Sequence, residues 1–190
     1  MEFALSEEQG ILSESIKKMF DENIGIDNLR DHSKGDKSLR KTIRRSIIDM
    51  GLPGLMIPEE YGGSGLGVLE ASLVAEQLGS YAVPSPWIGN SIMAPTAILF
   101  EKDNHLAEKW LPLIASGEIT ACISMSEVIG KRGDLGLTAN GDKVSGINIF
   151  GIDGELDPAI IITAVDNNLI LIETDNNGVE INEIPTIDST

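Results

Sequence analysis

One cysteine in 190 residues, Cys122, excludes an internal disulfide, and its neighbours Thr120, Ala121 and Ile123 mark a strand in which it serves as a small core hydrophobe. Basic residues are also scarce. Fourteen Lys and Arg stand against thirty Asp and Glu, a formal charge of -16 that repels phosphate backbones and anionic bilayers. Nucleic acid and membrane surfaces are therefore excluded as partners. No Lys or Arg follows Lys143, and nine of the fourteen lie between Lys17 and Arg45, so a side-chain cation site for an anion belongs in the N-terminal part or at Lys131-Arg132. The two histidines, His32 and His105, stand apart from Cys, His or Asp at ligand spacing, which predicts surface positions and no metal. There is no apolar run of bilayer length, and "MEFALSEEQG" lacks the basic start and apolar core of a signal peptide, so a cytoplasmic protein is expected.

A hydrophobic content of 42% is enough for a buried core in one sizeable domain or two small ones. Ser6 with Gln9 three residues on forms a capping-box signature, and Leu12, Ile16, Met19 and Phe20 follow at helical spacing, predicting a helix from about Ser6 to Glu22. After the polar stretch "DHSKGDKS", Leu39, Ile43, Ile47 and Ile48 predict a second helix that stops at Gly51 before Pro53. Lys37, Arg40, Lys41, Arg44 and Arg45 fall on its other side, read as a solvated face. Further helices are predicted around Leu69, Leu73, Val74 and Leu78 up to Gly79, from Trp87 to Phe100, and from Asn104 to Ser116 ahead of Gly117. Pro95 and Pro112 each predict a kink.

From Ile119 the texture changes to β-branched runs, "ITACIS", "KVSGINIF", "AIIITAV" and "LILIE", separated by the turn signals "NGD", "DNN" and "DNNG". Helices followed by strands predict an α+β chain, an all-α helical part and then an antiparallel β region, and tell against a dinucleotide-binding alternation.

The run "IPEEYGGSGLG", Ile57 to Gly67, invites comparison with a phosphate loop. Such loops deliver glycines from a strand to a helix N-terminus, usually beside a lysine. Here a helix end precedes the glycines, no Lys occurs from Ser46 to Glu101, and Glu59, Glu60 and Glu70 would face a bound anion with like charge. Gly62, Gly63, Gly65 and Gly67 are read instead as sharp backbone turns between packed helices, with Tyr61 as a semi-buried anchor.

The chain resembles the acyl-CoA dehydrogenase family over essentially its whole length. The resemblance is carried by "DMGLPGLMIPEEYGGSGLGVLEASLVAEQLG" around P-E-E-Y-G-G, by "KWLPLIASGEITACISMSE", similar to W-L-P-x-L-x-S-G-E, and by "VEINEIPTIDST", similar to V-x-x-x-P-x-x-D-x-T. It implies an N-terminal helical domain over 1–118 and part of a middle β-barrel-like domain over 119–190, with the chain ending before the family's C-terminal four-helix domain. It also implies FAD as cofactor, an acyl-CoA thioester as substrate, α,β-dehydrogenation as the reaction, and homo- or hetero-oligomers with chains of the same type. The base that removes the α-proton comes, in the family, from a C-terminal carboxylate, so no catalytic residue is assigned here.

On the same resemblance, Met125, Ser126, Phe150 and Ile152 are the cofactor-binding candidates. Ser126 keeps a hydroxyl for the flavin's pyrimidine edge where the family has T-E-P, although Val128 and Gly133 replace the Pro and the Ser of the following turn. Phe150-Gly151-Ile152 corresponds to W-I-T: Phe150 offers a ring, whereas Ile152 has a methyl in place of the hydroxyl. These departures imply a weakened flavin site. Two readings follow: a dehydrogenase present as a fragment, or a non-catalytic partner subunit that completes an active chain. A CoA-thioester binding module is a third. A β domain cut before its last strands would expose an unpaired edge, which predicts pairing through that edge.

Overall fold

A computed structural model describes residues 4–101, 104–125, 135–154, 157–166 and 168–182. Helix α1, Glu7–Asn23, starts as its sequence dictates. The Ser6 hydroxyl accepts the Gln9 N–H at 3.2 Å while the Gln9 side chain accepts the Ser6 N–H at 2.9 Å. Helix α2, Ile26–Ser33, lies partly within the stretch read as a polar connection. Its backbone delivers His32 to a position only 7% exposed, with Nδ1 2.9 Å from the Asp36 carbonyl oxygen. The expectation of a surface histidine is corrected for this reason, while His105 is exposed as predicted.

Helix α3, Ser38–Asp49, buries Leu39, Ile43 and Ile47 and ends at Gly51, whose φ of 69° is the left-handed turn its glycine permits. Two short 3-10 turns, Leu52–Gly54 and Glu59–Tyr61, lead to α4, Val68–Ser80, which runs one residue past Gly79. The predicted Trp87 to Phe100 helix is composite: a π-helical turn, Ile88–Met93, passes directly into α5, Ala94–Glu101. The irregularity expected at Pro95 is thus taken up just ahead of it, where the wider winding removes the need for a donor at the proline nitrogen. Helix α6, Asn104–Ala115, continues through Pro112.

Among the described residues six strands follow: β1 Ala121–Ser124, β2 Gly136–Asn140, β3 Lys143–Ile147, β4 Gly151–Ile152, β5 Ile160–Val165 and β6 Asn168–Glu173. Four form one sheet in the order β4-β1-β5-β6, and β2 and β3 form a separate ribbon, so the described strands do not close into a barrel. The "NGD" and "DNN" signals sit at the β2–β3 and β5–β6 hairpins, with Gly141 and Asp166 at positive φ. The α+β class holds. One pairing departs from the antiparallel expectation: β1 runs parallel to β5, with Ala121 opposite Ile160 and Ile123 opposite Ile162. The long intervening excursion supplies the crossover that parallel neighbours require, and the sequence pattern of a buried strand is the same for either direction.

Apolar side chains collect in two cores. Phe20, Ile43, Val74 and Trp87 belong to the first, between α1, α3 and α4. Ile57, Ile98, Leu111 and Ile114 pack with Ile123, Ile160 and Ile162 in the second, which joins the later helices to the sheet. Full burial of each such side chain contributes about 1.5–3 kcal/mol relative to exposure. The second core matters for function, because it fixes β1, and with it the β4 edge, against α5 and α6.

Candidate functional site

Backbone geometry removes the glycine loop as an anion site. The N–H groups of Gly62, Gly63, Ser64, Gly65 and Leu66 donate to the carbonyls of Glu59, Pro58, Gly54, Ile57 and Leu55, and the Gly67 N–H donates to the Glu70 carboxylate. Every backbone N–H from Gly62 to Gly67 is thus engaged within the protein. Gly62 and Gly65 adopt φ of 83° and 62°, and Tyr61 packs half-buried against the second core. The turn reading of "IPEEYGGSGLG" is what the fold realises.

Of the four cofactor-binding candidates, three are brought together. Strand β4 pairs antiparallel with β1, Ile152 opposite Ile123 and Gly151 opposite Ser124, and the Met125 N–H donates to the Phe150 carbonyl at 3.3 Å. The Ser124 hydroxyl donates to the Ile149 carbonyl at 3.2 Å, holding the same segment from the side. Met125, Phe150 and Ile152 therefore line one end of the β1–β4 pair. Phe150 is 42% exposed with φ of 59°, a left-handed backbone that an aromatic residue rarely takes. Ser126, with the Lys131-Arg132 pair and residues 183–190, lies outside the described residues.

Chemically this edge offers a ring and an apolar wall. The side chains of Met125, Phe150 and Ile152 carry no hydrogen-bond donor, and the Met125 N–H is already engaged.

Behind the edge sits Cys122, buried, its Sγ within 2.9 Å of where a Cβ on Gly151 would stand and 3.3 Å from one on Gly154. Burial, and secondarily the nearby Asp153 carboxylate, push its thiol up to about 12, so it is a core group and not a nucleophile at neutral pH.

Two residues that the sequence reading passed over tie the edge to the helices. The Asp153 carboxylate accepts the Asn90 N–H at 2.9 Å, and the Asn90 side-chain oxygen accepts the Ala121 N–H at 2.8 Å. Asn90 is 4% exposed, in the π-helical turn. Its signal in the sequence is an amide inside a mostly apolar helical run, a polar group that burial obliges to find partners.

The basic side of α3 is only partly solvated. Arg44 is half-buried and donates to the Gly117 carbonyl at 3.1 Å, stitching α3 to the connection before β1, while Arg45 pairs loosely with Asp49 at 3.8 Å. Among the described residues no group of three or more His, Cys, Asp or Glu could hold a metal ion, and no helix is long and apolar enough to cross a membrane.

A helical layer over a strand edge, with an exposed aromatic beside that edge, defines the class of protein to which comparison points. Residues 6–118 match the family model described as acyl-CoA dehydrogenase, N-terminal domain. The chain belongs to the acyl-CoA dehydrogenase family, whose members are FAD-dependent. Mitochondrial isovaleryl-CoA dehydrogenase of Bos taurus is 33% identical over 126 residues, covering 65% of this chain and 29% of the relative. Acyl-CoA dehydrogenase IpdE2 of Mycobacterium tuberculosis is 30% identical over 130 residues, covering 68% and 40%. Among solved structures, a glutaryl-coenzyme A dehydrogenase in complex with glutaryl-CoA superposes with a TM-score of 0.81 at 20% identity, over 100% of this chain and 52% of that one. One chain of the ChsE4-ChsE5 complex from Mycobacterium tuberculosis gives 0.79 at 21% identity, over 97% and 52%. The chain thus spans about half the length of these structures and less than half of these sequence relatives.

Proposed function

We propose that this chain supplies the N-terminal helical part, residues 1–118, and the flavin-facing β part, residues 119–190, of an FAD-dependent α,β-dehydrogenation of an acyl-CoA thioester. The observation that carries the reading is the meeting of Met125, Phe150 and Ile152 at the β1–β4 edge, residues that the sequence resemblance matches to the family's flavin-facing segments. In this reading Phe150 stacks on the flavin, Met125 and Ile152 close the apolar wall that excludes water from it, and Ser126 holds its polar edge. Held by these residues, FAD would supply the hydride-accepting chemistry of the dehydrogenation. The α-proton requires a base, and none of the chain's acids near this edge is given that role: Asp153 is spent on the Asn90 N–H.

A second reading is favoured by Ile152. With a methyl where the family has a hydroxyl, the edge lacks one donor to the flavin, a loss of about 1 kcal/mol that weakens binding without abolishing it. The chain is then a supporting subunit that assembles with a second acyl-CoA dehydrogenase-type chain holding the complete site. Purification of the chain alone and with co-expressed acyl-CoA dehydrogenase-type partners separates the two. Visible flavin absorbance at one equivalent on the chain alone supports the first reading. Flavin that is retained only in the complex supports the second, and no flavin in either preparation overturns both.

A further inference from the structure

The β4 segment makes a poor strand by itself. It is two residues long, it is flanked by Phe150 and Asp153 at φ of 59° and 65°, and its Gly151 and Gly154 have no side chains to pack. Two backbone pairings to β1 would not hold such a segment in one place. The Met125 N–H and the Ser124 hydroxyl hold the residues just before it, at Phe150 and Ile149, and the residue just after it is held by contact with the helical layer. Asp153 reaches across to the first turn of the composite Ile88–Glu101 helix and accepts the N–H of Asn90, satisfying a donor that the helix start leaves free. The same Asn90 turns its side-chain oxygen to the Ala121 N–H at the start of β1. Gly89 makes the approach possible: a Cβ there would lie 2.7 Å from both the Asp153 carboxylate and the Ile152 carbonyl oxygen.

From this geometry we propose that Asn90 and Asp153 are the positioning residues of the Phe150–Ile152 edge, a polar latch that sets β1 and β4 in register against the π-helical turn. The latch is a property of this chain's own contacts. Its consequence for flavin binding rests on the function proposed above.

Cys122 provides the readout. It is the chain's single thiol, and Gly151 and Gly154 lie directly over its sulfur. Opening the latch lifts that cover. In the full chain, iodoacetamide modification under native conditions, followed by intact mass, is expected to be at least about tenfold faster in Asp153→Ala than in the native protein. Asp153→Asn removes the same negative charge but keeps an oxygen that accepts the Asn90 N–H, so it is expected to label within about twofold of the native rate. This comparison separates lost charge, which by itself raises the thiolate fraction, from lost anchoring. Equal acceleration in both variants, or none in Asp153→Ala, overturns the proposal.

Should Asp153→Ala fail to fold, Gly89→Ala tests the same contact, because its methyl must push Asp153 and Ile152 away. It is expected to accelerate labelling, and a native rate in that variant overturns the latch. If the flavin reading is right, FAD affinity falls in Asp153→Ala and returns in Asp153→Asn. A native chain that binds no FAD removes that reading and leaves the labelling comparison standing.

Discussion

The Glu70 carboxylate accepts the backbone N–H of Gly67 at 3.0 Å through one oxygen and the Gln9 side-chain amide at 2.8 Å through the other, joining the start of α4 to α1. The Gln9 amide first, then backbone N–H groups including that of Gly67, hold the Glu70 carboxyl below its ordinary value of 4.5. A carboxyl depressed in the folded state contributes stability that is fully present above its unfolded-state value and is lost as pH falls through the folded value. Glu70→Ala is therefore expected to cost about 1 kcal/mol near pH 7, as for other lost helix caps, and the difference from the native protein should narrow below pH 4.5. Paired chemical denaturation at pH 7 and in acid measures it. A difference that stays constant across that range would assign the effect to something other than the charge.

Gly63 and Gly62 are adjacent but differ in what surrounds them. A Cβ on Gly63 would overlap the Ile57 carbonyl oxygen and lie 2.5 Å from that of Gly54, both backbone atoms, whereas Gly62 faces open space and is constrained only by its φ of 83°. Gly63→Ala is expected to destabilise by about 3 kcal/mol or more, since the loop must open. Gly62→Ala should cost only about 1–2 kcal/mol, the left-handed backbone penalty. Thermal melts of the two variants check the order, and a reversed order would show that the loop's internal hydrogen bonds do not set its shape.

Lys109 and Glu173 form the one close ion pair between α6 and β6 among the described residues, at 2.6 Å, with Lys109 Nζ also 4.2 Å from the centre of the Trp110 ring. Both side chains are more than 40% exposed. Solvent screening limits the pair to about 0.5–1 kcal/mol, measurable as the coupling in a cycle of Lys109→Met and Glu173→Gln. The coupling should shrink in high salt. A salt-independent value would mean that stacking on Trp110, and not charge, is what Lys109 contributes.

Where periodicity and capping chemistry agree, as in α1 with Ser6 and Gln9 or α3 ending at Gly51, the elements were legible in the sequence almost to the residue. The same holds for the acidic glycine run, whose flanking glutamates already tell against an anion and whose N–H groups from Gly62 to Gly67 are all engaged within the protein. What the sequence could not convey depends on contacts distant along the chain. Helix α2 is short and mostly polar, so no apolar stripe announced it, and His32 was placed at the surface for want of that helix. The direction of β5 beside β1 is set by the path of the intervening chain, to which a run such as "AIIITAV" is indifferent. Resemblance points to Phe150 and Ile152, but the part of Asp153, one residue further on, depends on Asn90, 63 positions away in sequence and 2.9 Å away in space.

Ile152 gives the most direct test of the functional reading. It stands half-buried opposite Ile123, next to exposed Phe150, and brings no donor to an edge that a flavin would share. Ile152→Thr retains the β-branched shape that suits the strand while adding a hydroxyl, so the fold should tolerate it at a cost of about 1 kcal/mol. If a flavin lies on this edge, the new hydrogen bond is expected to tighten FAD about fivefold, whereas Phe150→Ala should weaken it about tenfold through loss of the stacked ring. Titrations that follow quenching of flavin fluorescence measure both. Opposite signs for the two variants tie the edge to the cofactor. A pair of variants that shift Tm but leave FAD affinity untouched would place the flavin elsewhere and reduce Phe150 to a surface ring.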